Sequence, residues 1–180
     1  TLISKFKDHN LIRGNITGQY LWEIPSSNRW TISAKGQLGW ISDAEVDSFF
    51  HFFGGGMPGL KGYPYYSIEG SNMMIYDLGV RIPLFREKHF PIGWFTLQHS
   101  TLGIISQFGD AWNRNESEFS LKRSRGIEWR LSGYSFYNYP TSLSLEYHQG
   151  IDRFTMDIGD GTPINYGKKG RYYFSVLFGF

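Results

Sequence analysis

Residues 30–40, WTISAKGQLGW, place Trp30, Ile32, Ala34, Gly36, Leu38 and Trp40 on one parity and Thr31, Ser33, Lys35 and Gln37 on the other. Successive side chains of an extended chain point to opposite faces, so this stretch reads as a strand with one apolar and one polar side. The pattern spreads outward from here. Upstream of the turn Pro25-Ser26-Ser27-Asn28, the set Ile12, Gly14, Ile16, Gly18, Tyr20, Trp22 and Ile24 opposes Arg13, Asn15, Thr17, Gln19 and Glu23. Downstream, Met74, Tyr76, Leu78, Val80, Ile82 and Leu84 oppose Asp77 and Arg81. Ile127, Trp129 and Leu131 oppose Glu128, Arg130 and Ser132, and Leu143, Leu145 and Tyr147 oppose Ser144, Glu146 and His148. The terminal set Tyr172, Phe174, Val176, Phe178 and Phe180 shares one face. Residues 91–106 are strand-like but alternate poorly, and a bulge or a change of burial is expected there.

Composition agrees with strands. Aromatic residues make up 18% of the 180 residues and glycine contributes 22, whereas strong helix formers are thin. The chain is 41% hydrophobic with a mean hydropathy of -0.34, and no window approaches the ~18 consecutive apolar residues of a membrane helix. With no cysteine, neither a disulfide framework nor a thiolate metal site can form. A formal charge of +2 gives no case for nucleic acid as a partner. The start at Thr1, without Met or a leader, suggests a mature product or a piece of a longer polypeptide.

A soluble sandwich and a membrane barrel both alternate, but their connections differ. Here the gaps run short and long in turn: 25–28, 42–71, 86–90, 107–120, 137–140 and 151–170. Tight periplasmic turns alternating with long outer loops belong to an outer-membrane barrel. Strands of ~9 to 11 residues fit a tilted crossing, and Tyr20, Trp22, Trp30, Trp40, Trp94, Tyr172 and Tyr173 suit interfacial girdles. The expected fold class is therefore all-β, an antiparallel transmembrane β-barrel of outer-membrane type. Seven strands are clear, with Leu2 to Lys7 as a candidate partial eighth. Single-chain bacterial barrels have even strand numbers, so residues 1–180 are read as the C-terminal part of a larger barrel domain, with a long inward-folded loop at about 42–71.

That loop carries a resemblance. Phe52-Phe53-Gly54-Gly55-Gly56 through Leu60-Lys61-Gly62-Tyr63 is similar to the inward sixth loop of the bacterial surface antigen superfamily, with its [V/L]-R-G-[F/Y] motif. Arg81-Ile82-Pro83-Leu84 resembles the R-x-P-[L/I] of the following strand, and Phe108-Gly109-Asp110-Ala111 resembles the F-x-D-x of the strand after that. Tyr172, Phe174, Val176, Phe178 and Phe180 resemble the C-terminal signal read by the barrel assembly machinery. The superfamily contains outer-membrane assembly factors, two-partner secretion transporters and barrels fused to patatin-like or other domains. The resemblance implies a barrel of about sixteen strands, of which this chain supplies the last seven or eight. Lys61 stands where the family has Arg, and Gly79 where the insertases place an acid; Asp77, on the same face, can replace it. The resemblance and the parity together put the loop tip Lys61 against Asp110 and Asp77, with Arg81 also lining the interior.

Gly54 to Gly59 also satisfy G-x-G-x-x-G, but Pro58 and the extended Leu60 to Pro64 follow in place of a helix N-terminus, so the match is read as accidental. His9, His51, His89, His99 and His148 lack metal spacing, and Asp157, Asp160 and Gly161 fail the EF-hand pattern. Glu128 and Glu146 are read as lumenal hydrogen-bonding groups rather than an acid/base pair, and no G-x-S-x-G elbow occurs. No catalytic residue, cofactor or metal is therefore assigned, and any enzyme activity would lie upstream. Arg123 and Arg125, near the outer end of their strand, suit lipopolysaccharide phosphates. The expected role is an outer-membrane barrel of a Gram-negative bacterium that inserts or translocates proteins. Its partners would be outer-membrane lipid and lipopolysaccharide, the assembly machinery, upstream strands of the same barrel, and periplasmic or surface accessory proteins. A passive anchor for an N-terminal soluble domain is the alternative, and a porin is disfavoured because the loop would occlude it.

Overall fold

The structure is a computed structural model that describes residues 11–25, 28–43, 47–113, 118–136, 138–157 and 163–179. The strands are β1 (Arg13–Glu23), β2 (Thr31–Ile41), β3 (Phe52–Phe53), β4 (Glu69–Gly70), β5 (Asn72–Phe85) and β6 (Phe90–Ile92). They continue with β7 (Phe95–Trp112), β8 (Lys122–Ser135), β9 (Tyr139–Gly150), β10 (Phe154–Asp157), β11 (Pro163–Tyr166) and β12 (Gly170–Phe178). Seven long strands form an antiparallel meander in the order β1-β2-β5-β7-β8-β9-β12, and β6 adds to β7 to give an eight-stranded sheet. The sheet is open: β1 and β12 are its two edges.

Three departures from the expected layout have physical causes. The connection expected at 107–120 begins only after Trp112, because β7 runs on as wall behind the loop, where Ile105, Gln107 and Ala111 are buried. The connection 86–90 contains β6, which turns through Gly93 at φ +58° back onto β7. The segment 151–170 carries the β10–β11 hairpin. The irregularity expected within 91–106 is a register shift between Leu97 and His99, where β7 slips against β8. The partial strand expected at Leu2 to Lys7 lies outside the described residues, as do Phe180 and His9.

The described residues of 42–71 pack on one face of the sheet. They contain the β3–β4 hairpin and two single 3-10 turns, Ser48–Phe50 and Tyr65–Ser67. No α-helix occurs among the described residues, so nothing follows the glycine run that would receive a pyrophosphate. The core is the contact between loop and wall: Phe52, Leu60, Tyr63 and Ile68 from the loop pack with Ile41, Met73, Ile75 and Ala111 from the strands. Leu60 and Tyr63 are fully buried, and each such side chain contributes ~1.5 to 3 kcal/mol relative to exposure.

The other face is bare and apolar. Tyr20, Trp22, Leu38, Trp40, Leu78, Ile104, Ile127, Trp129, Leu145, Phe174 and Phe178 all stand exposed along it. Of the residues expected inside, Lys35 and Asp77 line a cavity with the loop, and Glu146 bonds to it.

Candidate functional site

The loop tip is Leu60-Lys61-Gly62-Tyr63, and its polar groups are consumed one by one by the strands beneath it. The Lys61 N–H donates to Gln107 Oε1 of β7 at 2.9 Å, and Gln107 Nε2 donates to the Gly59 carbonyl at 2.9 Å and to Asp77 Oδ2 at 2.8 Å. On β8, Ser124 Oγ accepts from the Gly62 N–H at 3.0 Å. The ammonium of Lys61 donates to Glu146 of β9, and Tyr173 of β12 donates its hydroxyl to the Lys61 carbonyl at 2.8 Å. One residue and its neighbour are thereby tied to four successive strands.

Close approach is possible because of glycine. A Cβ on Gly62 would stand 2.4 Å from the Gly150 nitrogen and 2.7 Å from Ser124 Oγ, and one on Gly55 would stand 2.0 Å from the Pro64 carbonyl oxygen. The glycine run folds the loop back on itself and lets its tip touch the wall.

Charge on this face is arranged in ties rather than in a reactive cluster. Glu146 accepts from Lys61 and also faces His148 Nε2 at 2.8 Å, with His148 wholly buried. On β8, at the position paired with Glu146, Glu128 accepts from Arg81 Nε at 2.9 Å and from Arg130 on its other oxygen, and Arg81 NH1 donates to Ser33 Oγ at 2.9 Å. Near the long-loop end, Lys122 pairs with Asp110, whose carboxylate also accepts from the Ser120 N–H at 2.8 Å. Beside them Tyr63 Oη reaches the carbonyls of Arg123 at 2.9 Å and Asp152 at 3.0 Å, and accepts from the Asp152 N–H. Burial pushes the Tyr63 phenol above its ordinary value. The Arg123 guanidinium, bonded to both oxygens of Asp152, holds that carboxyl below the usual aspartate range.

The expected pairing of Lys61 with Asp110 is overturned, since Lys61 pairs with Glu146 and Asp110 with Lys122. Asp110 has the parity opposite to Gln107 and Ala111, and its carboxylate is held by the ascending side of its own hairpin. Asp77 does lie under the loop, but it meets the tip only through Gln107. Arg81 touches no loop residue in its hydrogen bonds; it spans β7 to reach β8. Gly54, Gly55, Leu60, Gly62 and Tyr63 are all buried in the loop's contact with the wall. Tyr172, Phe174, Val176 and Phe178 occupy the bare face of β12, paired with β9. Arg123 and Arg125 stand exposed on that same face, Arg123 engaged by Asp152 and Arg125, among the described residues, by Gln149 alone at 3.4 Å.

Gln107, Ser124, Lys122 and Asp152 take part in the site without having been singled out from the sequence, and Tyr173, expected in an interfacial girdle, instead turns to the loop-bearing face and bonds the tip. For Ser124 and Tyr173 the signal was available, because they share parity with Glu128 and Arg171 on the polar side of their strands. Among the described residues no group of three or more His, Asp or Glu could hold a metal ion. No helix of the described residues is long and apolar enough to cross a membrane, which leaves crossing by strands open. No protein-family profile matches the chain, and neither a curated protein nor a solved structure matches it significantly.

Proposed function

We propose that this chain forms part of the wall of an outer-membrane β-barrel of a Gram-negative bacterium, and that the barrel inserts or translocates proteins. The observation that carries this reading is the inversion of the two faces. On β8, β9 and β12 the apolar set is the more exposed one, and on β8 and β9 the polar set of the opposite parity is buried on the loop-bearing side. A soluble protein would bury the apolar face, whereas a barrel in lipid presents it to hydrocarbon and keeps polar groups in a wet interior. Further strands pairing with the edges β1 and β12 would close the sheet, since an open edge is not tolerated in hydrocarbon.

The loop resembles the inward loop of the bacterial surface antigen superfamily, and its attachment to four strands supports a structural element kept inside the barrel. Arg125, with no carboxylate bonded to it among the described residues, is better placed than Arg123 to take a lipopolysaccharide phosphate just above the apolar band. In vesicles carrying the full polypeptide of which this chain is part, an unfolded outer-membrane client should become protected from external protease. A Lys61→Glu variant should lower that protection. Client protection no greater than with empty vesicles would overturn the insertion reading in favour of a passive anchor for a soluble domain.

A further inference from the structure

At the short-turn end of the loop-bearing face, four arginines from four places in the chain converge on one basin of about 410 Å³. Arg29 comes from the β1–β2 turn, Arg81 from β5, Arg86 from just after β5, and Arg130 from β8; Gln19, Thr31 and Thr101 complete the polar rim. Among the described residues no carboxylate lines the basin. Glu128 beneath it is spent, with one oxygen on Arg81 and the other on Arg130. Glu23 approaches Arg29 only loosely, at 3.7 Å between two exposed side chains. Arg86 makes no ion pair among the described residues and donates only to the Arg29 carbonyl at 3.2 Å. Arg130 Nε is buried without a partner there. The cluster thus carries four guanidinium charges against two carboxylates, and two of its forks, those of Arg29 and Arg86, face the basin without a bidentate partner.

Guanidinium groups present paired donors matched to oxyanions, which lysine does not, and their concentration at one mouth is expensive unless an anion is received there. The ligand is not a lipid headgroup, because Arg81 and Arg130 share parity with Asp77 and Ser124 on the loop-bearing face, opposite the apolar surface. We propose that this basin receives the carboxylates of an acidic polypeptide segment at the short-turn mouth of the barrel. The proposal rests on the reading of this face as the barrel interior, open to a polypeptide from the short-turn side.

Binding of fluorescein-labelled decaglutamate to the full polypeptide in detergent micelles tests it, with decalysine and inorganic phosphate as the other arms. Arg29→Ala with Arg86→Ala removes two forks that do not brace Glu128, so the fold, checked by heat-modifiable mobility, should survive. That variant should lose decaglutamate affinity by about ten-fold or more, as expected for charge-assisted contacts. Arg29→Lys with Arg86→Lys should fall between, and Lys168→Ala with Lys169→Ala, in the last long connection, should bind as wild type. Affinity of the double alanine variant within about two-fold of wild type, or decalysine binding as tightly, would overturn the site. Phosphate competing as well as decaglutamate at equal charge would overturn the polypeptide assignment. The barrel reading fails separately: parity-dependent quenching by lipid on the strands, with no decaglutamate bound, removes the basin alone.

Discussion

On β8, Ile127 and Trp129 stand about half exposed, while Ser124 and Glu128, in the same strand and of the opposite parity, are 1% exposed. The same inversion holds on β9, where Leu145 is exposed and Ser144, Glu146 and His148 are buried. Burial on these two strands does not follow hydrophobicity. A strand with a period of two carries two independent surfaces, and in this sheet the polar one is the packed one. What packs it is a mixture: aromatic and aliphatic loop groups near the long-loop end, and ion pairs and amide bonds under the tip.

The largest effect is expected where a buried charge is stranded. Glu146→Ala leaves Lys61, 18% exposed, and His148 without their acceptor, at a cost of ~3 to 5 kcal/mol in loop opening. Trypsin cleavage after Lys61 reads that opening. Asp110→Ala strands Lys122 instead, so cleavage after Lys61 should rise far less. In a double-mutant cycle read by chymotrypsin, Lys61→Met should couple with Glu146→Gln and add with Asp110→Asn.

Next comes the bare face. Leu78→Arg should cost ~2 to 4 kcal/mol of barrel stability in lipid near the midplane, measured by urea unfolding in vesicles. The adjacent residue of opposite parity, Asp77, should accept Asn at a smaller cost, since Gln107 can still donate to the amide oxygen. Equal costs at the two positions would erase the distinction between faces.

Overpacking the tip is a smaller disturbance. Gly62→Ala places its Cβ against the Gly150 backbone, and ~1 to 3 kcal/mol of loop docking should be lost, visible as faster proteolysis within 52–70. Gly18, whose Cβ would meet nothing within 4 Å, should tolerate Ala.

The smallest effect is confined to high pH. The Tyr63 phenol is raised by burial, so its protonated form is favoured when the loop is docked. Its contribution is complete below the ordinary phenol value of ~10 and is lost as pH climbs through the raised value. The tyrosinate absorbance of wild type minus Tyr63→Phe should therefore titrate above the ordinary phenol value of ~10. A difference curve centred at or below ~10 would remove the buried hydroxyl from the docking contact.

The strands were readable because alternation is local: Trp30 to Trp40 and Tyr172 to Phe178 show their faces without any partner. Bounds failed where tertiary contact decides them, as at β7, which reaches Trp112 because the loop gives Ala111 something to pack against. The glycines and Tyr63 of the loop were recognised through a motif. The partner of Lys61 was not, since Glu146 lies 85 residues away and three strands over, and only register brings it beneath the tip. Parity placed Glu146 on the correct face but did not choose it over Asp110.

The most direct measurement uses the absence of native cysteine. Single cysteines carrying a fluorophore at Leu78, Ile127 and Phe174, and at Lys35, Ser144 and Ser175, can be compared in vesicles of brominated lipid. A membrane wall with its apolar face outward gives strong quenching at the first three and weak quenching at the second three. Equal quenching at both sets, or none at either, would contradict it.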